Sequence, residues 1–395
     1  MPILSCFHLL GPPAPKFTHN VDNDRKDQRL KCFIEDYLDK YDVICLQEMF
    51  GAFSRRRRKL IKAAVKRGFH WKVSSPQSRS SMYLVDGGCL ILSRVKIVAE
   101  ASVIFEPGMM SDRLAAKGVI YAKLSPKPGV FVHLFVTHLQ AIYAGSDTVA
   151  DCLAIQKHQY DEVVSFVAST VAANESADDM LQAERLLERK NRKAAPSQDT
   201  MRTRRCRRWP VLLAGDFNCN SRPATGDIVT ATTPPYADLT HALSKLGDFS
   251  DIFFDNLGEH PVTYAAADFD LHGVFSPRET ALTSPDDYHE SGEYVNQSLD
   301  YIFLFPPTYE KLKYLTSDSP MHGGLSPASP DSRAIKSSVV RPVDMKVSHL
   351  EYVPKPHMPP NPLKYLSDHM ALEAVFDIDA TGGSGAHSRS GGLMN

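Results

Sequence analysis

The sequence predicts an α/β protein in which sheets pack on one another and helices lie outside. Two observations carry this. Short apolar runs rich in β-branched and aromatic residues recur along the chain, each ending in polar residues. Between them lie three longer stretches whose apolar residues repeat at three- and four-residue steps.

The predicted strands are Val43–Leu46, Gly88–Leu92, Val119–Leu124, Val130–Val136, Val211–Leu213, Tyr301–Phe305 and Ala371–Phe376. Val130, Val132, Leu134 and Val136 alternate with other residues, as in a strand with one buried face. Helices are predicted over Asp27–Lys40, Arg55–Arg67 and Asp151–Ala173. In the first, Leu30, Phe33, Ile34, Tyr37 and Leu38 make one apolar face. In the second, Leu60, Ile61, Ala64 and Val65 oppose a dense basic face.

Composition excludes several classes. The 395 residues carry 45 Lys+Arg against 46 Asp+Glu, and 43% are hydrophobic, so the chain is neither wholly disordered nor collagen-like nor a coiled coil. Seven cysteines in no CxxC spacing suggest neither a disulfide framework nor a zinc site. The longest nearly apolar stretch, Val163 to Ala173, is interrupted by Ser165, Ser169 and Thr170, and is too short for a spanning helix. The N-terminus lacks the marks of a secretory signal, so the expected location is cytoplasmic, with peripheral membrane contact open. One domain over residues 1–379 is expected, with insertions at 174–208 and 306–362 and a disordered tail over 380–395.

Chemistry-bearing residues gather at the strand ends. Thr18-His19-Asn20 follows Lys16-Phe17, and Gln47-Glu48 follows the Val43–Leu46 run. Thr137-His138-Leu139-Gln140-Ala141 and Gly215-Asp216-Phe217-Asn218 close two more strands. Asp300 opens another, and Ser367-Asp368-His369 precedes the last. Strand tips brought to one edge would hold these groups on a rigid scaffold. Carboxylates, amides and imidazoles without cysteine suit a hard cation such as Mg²⁺, with Mn²⁺ as the second candidate. An imidazole oriented by a carboxylate makes a general base near neutral pH. Together these residue types point to metal-assisted hydrolysis of a phosphoester.

These motifs give the chain a resemblance to the endonuclease/exonuclease/phosphatase superfamily. Its marks, "LQE", "GDFN", "DYI" and "SDH", occur here in order from Gln47 to His369. Further matches resemble the neutral sphingomyelinases. They are Phe17-Thr18-His19-Asn20-Val21, Asp86-Gly87-Gly88 before Ile91-Leu92-Ser93, the D-x-x-x-x-K-G loop from Asp112 to Gly118, and "THLQA" over Thr137–Ala141. The resemblance covers roughly residues 16–170, 209–305 and 363–377.

It implies a four-layer α/β/β/α sandwich of the DNase I-like type and cleavage of sphingomyelin into ceramide and phosphocholine. By position, it implies that Glu48 binds the metal with Asn20 beside it. His138 and Asn218 would hold the phosphate, and Asp216 would orient the attacking water or metal-bound oxygens. His369 would act as general base, with Asp300 fixing its tautomer and Asp368 supporting the cluster. Asp112 and Lys117 would form a pair near the phosphate; the competing reading of these residues is a surface ion pair worth little.

Secreted bacterial relatives carry an aromatic hairpin before "SDH", whereas residues 306–362 here contain no tryptophan. Arg55–Arg58 with Lys59, Lys62, Lys66 and Arg67, and the arginines of 202–208, read as solvated faces or as docking sites for anionic lipid or nucleic acid phosphates. Those clusters keep a metal-dependent nuclease of the same superfamily as the alternative function.

Overall fold

The computed structural model describes residues 25–52, 54–77, 83–143, 148–177, 209–222, 233–265, 278, 296–306, 340–358 and 364–378; residues 2–8, 146–147, 178–192, 267–269 and 275–277 are described by backbone. Asn20, the 202–208 arginines and the 380–395 tail lie outside the described residues.

In chain order the elements are β1 Pro2–His8, α1 Lys26–Asp36, β2 Val43–Gln47, α2 Arg56–Lys66, β3 Trp71–Ser74, β4 Val85–Asp86, β5 Leu90–Ser93 and β6 Lys96–Ile104. There follow β7 Ala115–Ala116, β8 Gly118–Lys127, β9 Val130–His138, α3 Ser146–Arg192, β10 Val211–Asp216, α4 Pro234–Ser244, β11 Ser250–Asp251 and α5 Ile252–Leu257. The last are β12 Ala267–Phe269, β13 Phe275–Pro277, β14 Asp300–Phe305, β15 Val340–Ser348 and β16 Ala371–Ile378.

Among the described residues, two six-stranded sheets dominate, ordered β15-β16-β1-β2-β5-β3 and β11-β14-β10-β9-β8-β6. Their inner faces meet in one apolar layer that includes Cys45, Ile91, Val132, Leu134, Val136, Leu212, Ala214, Leu372 and Phe376. A second layer packs α1 and α2 residues Leu30, Phe33, Leu60 and Ala64 onto Ile44, Leu46 and Leu90 of the first sheet. A third packs Tyr160, Val163, Val167 and Val171 of α3, with Leu239 and Leu243 of α4, onto Phe135, Leu213 and Phe303. The result is helix, sheet, sheet, helix. Each sheet is covered on both faces, which explains why the central strands read as near-continuous apolar runs.

The strand β9 shows this. Val130, Val132, Leu134 and Val136 point between the sheets, while Phe135 points under α3. Its alternation therefore separates two buried environments rather than core from water.

Local signals explain the shorter helices. Thr233 caps α4, its hydroxyl accepting from the Tyr236 amide, and Pro234 and Pro235 occupy the first helical positions. Asp251 caps α5 by accepting from the Phe253 and Phe254 amides.

Three stretches differ from expectation. The third helix runs on to Arg192, into the stretch expected as an insertion, because 174–192 is rich in strong helix formers such as Ala, Glu, Leu and Lys. Within 306–362, β15 pairs along its length with β16, and Leu350, Tyr352 and Met358 are buried against the α1 side. Pro342 and the polar residues of β15 reflect its edge position in the sheet rather than exclusion from the fold. The strand β1 at Pro2–His8 is absent from the predicted strands; it lies ahead of Pro12, Pro13 and Pro15, where the backbone can still donate to a ladder.

His133 is fully buried on β9 and its Nδ1 lies 2.8 Å from the Tyr121 hydroxyl. Burial, aided by the nearby Lys123 charge, pushes its pKa down to about 3. A base depressed in the fold stabilises it fully above the unfolded pKa and loses that contribution as pH falls toward about 3. Wild type should therefore lose stability on acidification from about pH 5.5 to 4 more steeply than His133→Gln, by about 1.4 kcal/mol per pH unit. Urea unfolding at several pH values measures the two slopes.

Candidate active site

Strand directions bring the polar tips together. The strands β9 and β10 run parallel, while β14 is antiparallel to β10, so two carboxyl ends and one amino end share an edge. The register is specific: Asp216 stands opposite His138 on one side and Asp300 on the other. In the facing sheet β1 is parallel to β2 and antiparallel to β16, so the end of β2 and the start of β16 share an edge as well. Glu48 follows the first and His369 precedes the second.

One bond joins the two edges. His369 Nδ1 lies 2.9 Å from Asp300 Oδ2, and its Nε2 is 4.0 Å from Asp216 Oδ2. With Nδ1 donating to the carboxylate, the ring is held in the tautomer whose Nε2 lone pair is available to take a proton. Asp216, Asp300 and His369 are all buried, and their ligand atoms lie within 4.8 Å of one another.

The backbone around His369 is pinned. Its amide donates to Ser367 Oγ at 3.0 Å, and the Met370 amide donates to the Thr263 carbonyl at 2.8 Å. The Ala265 amide donates to the Asp368 carbonyl at 3.0 Å, and the Tyr264 ring packs 4.9 Å from the imidazole. Thr263 reaches the other partner too, its hydroxyl accepting from the Leu299 and Asp300 amides at 2.8 and 3.1 Å. A single segment thus places both His369 and Asp300.

A second group sits beside the first. His138 Nε2 is 3.6 Å from Asp216 Oδ2 and 3.2 Å from Lys117 Nζ. Lys117 Nζ also donates to the Leu139 carbonyl at 2.7 Å and pairs with Asp112 Oδ2 at 2.8 Å. Asp112 accepts from the Ala141 amide at 2.8 Å as well. The Lys117 and Asp112 side chains are only 5% and 13% exposed, so their pair is not a surface ion pair.

Asn218 adopts a left-handed backbone, φ 49°, which lets its amide donate to Asp216 Oδ1 at 2.7 Å. Its Nδ2 donates to the Leu139 carbonyl at 3.0 Å. Glu48 is also left-handed, φ 55°. Non-glycine residues in this region are uncommon and cluster at functional sites.

The expected residues separate into three sets. Asp216, Asp300, His369, His138, Lys117, Asp112 and Asn218 form one connected network. Asp368 contributes its backbone, while its half-buried carboxylate accepts from Ser367 Oγ at 3.3 Å. Glu48 stands at the tip of β2, outside the tight carboxylate–imidazole group, and Asn20 lies outside the described residues.

Three residues escaped the sequence reading. Thr263 is one. The others are Gln156 and Gln159 of α3: Gln156 Nε2 donates to the Gln140 and Asn218 carbonyls at 2.7 and 2.8 Å, and Gln159 Oε1 accepts from the Gln140 amide at 2.8 Å. Both are buried. Two glutamines one turn apart on an otherwise apolar helix face are the signal that would have found them.

The donor set suits a hard divalent cation. Cys89 lies close enough to feel both Lys117 and Asp216, but burial pushes its thiol up to about 12. It stays protonated at neutral pH, so the groups offered to a cation are carboxylate oxygen and imidazole nitrogen.

The family model for the Endonuclease/Exonuclease/phosphatase family matches residues 17–369. The chain belongs to this family. A sphingomyelinase of Dictyostelium discoideum is 31% identical over 314 residues, which is 74% of this chain and 63% of that protein. Sphingomyelinase C of Bacillus cereus is 32% identical over 152 residues, 35% of this chain and 44% of that protein. The chain thus spans less than two thirds of the curated relatives it matches. The crystal structure of sphingomyelinase C from Streptomyces griseocarneus superposes with a TM-score of 0.51 at 18% identity, covering 94% of this chain and 98% of that one. That likeness shows the DNase I-like fold.

Thr263→Val should leave two buried amides without an acceptor and destabilise the fold by about 2 kcal/mol. Thr263→Ser, which keeps the hydroxyl, should stay within about 0.5 kcal/mol of wild type. Urea denaturation distinguishes them.

Proposed function

We propose that this protein is a metal-dependent phosphodiesterase that hydrolyses sphingomyelin to ceramide and phosphocholine. The observation that carries the proposal is the His369–Asp300 bond at 2.9 Å, with Nε2 directed toward Asp216 and a lysine–histidine pair alongside. The likeness to sphingomyelinases over most of the chain supports the choice of substrate.

In this reading His369 Nε2 takes a proton from water as the water oxygen bonds to phosphorus. The bond from phosphorus to the ceramide oxygen breaks, that oxygen takes up a proton from solvent and leaves as the alcohol, and the imidazolium of His369 returns its proton to solvent. Asp300 holds the imidazole tautomer and stabilises the imidazolium that forms. Lys117, His138 and Asn218 hold the phosphate oxygens and offset the charge that develops on them. Asp216 orients the attacking water, Asp112 sets the position of Lys117, and Asp368 supports the cluster through its backbone. Glu48, with Asn20 beside it, would hold a Mg²⁺, or Mn²⁺ as second choice, within reach of the same edge. When bound, that cation would neutralise phosphate charge and act as a Lewis acid.

Contact with a lipid surface has structural support at the rim. Leu84 and Leu114, 59% and 48% exposed, are joined by a backbone hydrogen bond of 2.8 Å, and Met110 is 59% exposed. Met110 and Leu114 bound the short turn that carries Asp112. No helix among the described residues is long and apolar enough to cross a membrane. The basic face of α2 weighs less for the nuclease alternative than its sequence suggests, because Arg56 and Lys59 pair with Asp27 and Arg67 pairs with Asp39.

Hydrolysis of sphingomyelin should vanish with EDTA and return with Mg²⁺. His369→Ala should slow turnover of a soluble phosphocholine ester by at least about a hundredfold. Leu84→Ser with Leu114→Ser should slow hydrolysis in vesicles while sparing the soluble ester. Plasmid DNA or RNA cleavage outpacing sphingomyelin cleavage, or activity that persists in EDTA, would contradict the proposal.

A further inference from the structure

The turn Asp86-Gly87-Gly88 leads into β5. In the structure it is a joint between the two halves of the site. The Asp86 side chain is fully buried and collects three donors. Arg57 Nη1 of α2 reaches Oδ1 at 3.0 Å, the Gly88 amide reaches the same oxygen at 3.0 Å, and the Gly51 amide reaches Oδ2 at 2.8 Å. The carboxylate therefore ties the segment after Glu48 to the segment before β5.

Gly88 transmits this tie. Its carbonyl accepts from the Met49 amide at 2.8 Å, directly after Glu48. Its own φ is 73°, and a side-chain carbon there would lie 3.1 Å from both Glu48 Cα and Glu48 N. The left-handed Glu48 backbone is thus seated against a glycine that Asp86 holds in place. On the other side β4 pairs with β7, placing Asp86 opposite Ala116, the residue before Lys117. A carbon added to Gly87 would collide with the Ala116 carbonyl and lie 3.1 Å from Lys117 Cα. Only bare backbone allows the turn to touch both neighbours.

We infer that Arg57, Asp86 and Gly88 are positioning residues that fix Glu48 relative to Lys117. Asp86 fixes the turn, the turn fixes the Glu48 backbone on one flank and the Lys117 strand on the other, and Arg57 supplies the counter-charge a buried carboxylate needs. One arginine of the basic run on α2 therefore belongs to the active site, while Arg55 and Arg58 remain exposed. The inference rests on the reading of Glu48 as the metal-holding carboxylate.

The test compares the full-length chain with Arg57→Met, Arg57→Lys and Gly88→Ala, using two readouts. The first is backbone hydrogen exchange at the Met49, Gly51 and Gly88 amides, which needs no activity. The second is calorimetric titration with Mg²⁺. Arg57→Met should lower protection at those amides by about tenfold or more, with α1, β9 and β10 unchanged. It should also weaken Mg²⁺ binding by about tenfold. Arg57→Lys should recover most of both, and Gly88→Ala should perturb Met49 and Mg²⁺ binding without touching the ion pair. Unchanged protection at Met49 in folded Arg57→Met and Gly88→Ala would overturn the inference. Lowered protection with Mg²⁺ affinity unaffected would retain the joint but remove its role at the metal, locating the failure in the reading of Glu48.

Discussion

The bond between His369 and Asp300 is the constraint on which the rest of the site depends. Its two partners come from different sheets: Asp300 from the opening of β14, His369 from the loop entering β16. The bond forms only if both sheets present their tips at the same edge of the sandwich. The antiparallel pairs β1–β16 and β10–β14 open both strands at that edge, and the parallel pairs β1–β2 and β9–β10 bring Glu48 and His138 to it as well. A connection that reversed either pair would send Glu48 or His138 to the far end. The apolar layer between the sheets therefore does more than stabilise the fold; it sets the distance across which the imidazole and the carboxylate meet.

Burial of so many polar groups in one place is costly unless each has partners. The network meets this cost with backbone and neutral amides as well as opposing charges. Thr263 serves both sides of the central bond, and Gln156 and Gln159 hold the carbonyls and amides of two strand ends. Lys117 is shared among Asp112, His138 and a carbonyl, so its buried ammonium is not left bare. Rigid surroundings of this kind allow charge stabilisation with little reorganisation during reaction.

Much of this was legible in the sequence. Asp216, His138 and Asp300 were visible because each ends or opens an apolar run, and the register places all three in one row. The layered α/β class followed from alternating strand and helix periods. What escaped notice has a common cause. The edge strands β3, β6 and β15 carry polar residues on exposed faces, so their apolar runs are broken. Nothing in the sequence marks Asp86 as a joint, because its partners Arg57 and Gly51 are 29 and 35 residues away. Thr263 acts through backbone groups and leaves no pattern of spacing, while the α3 glutamines leave only their one-turn spacing on an apolar face. Residue type reveals chemistry at strand ends; it does not reveal which buried polar groups hold those ends still.

The most direct test of the central claim is the energetic coupling between His369 and Asp300 in catalysis. Turnover of a soluble phosphocholine ester would be measured for Asp300→Asn, His369→Ala and the double variant. If the carboxylate acts through the imidazole, the double variant should be hardly slower than His369→Ala alone, because residues acting as one unit are strongly non-additive. Independent, multiplying losses would mean that Asp300 and His369 do not work as a pair, and the account of the site built on their bond would fail.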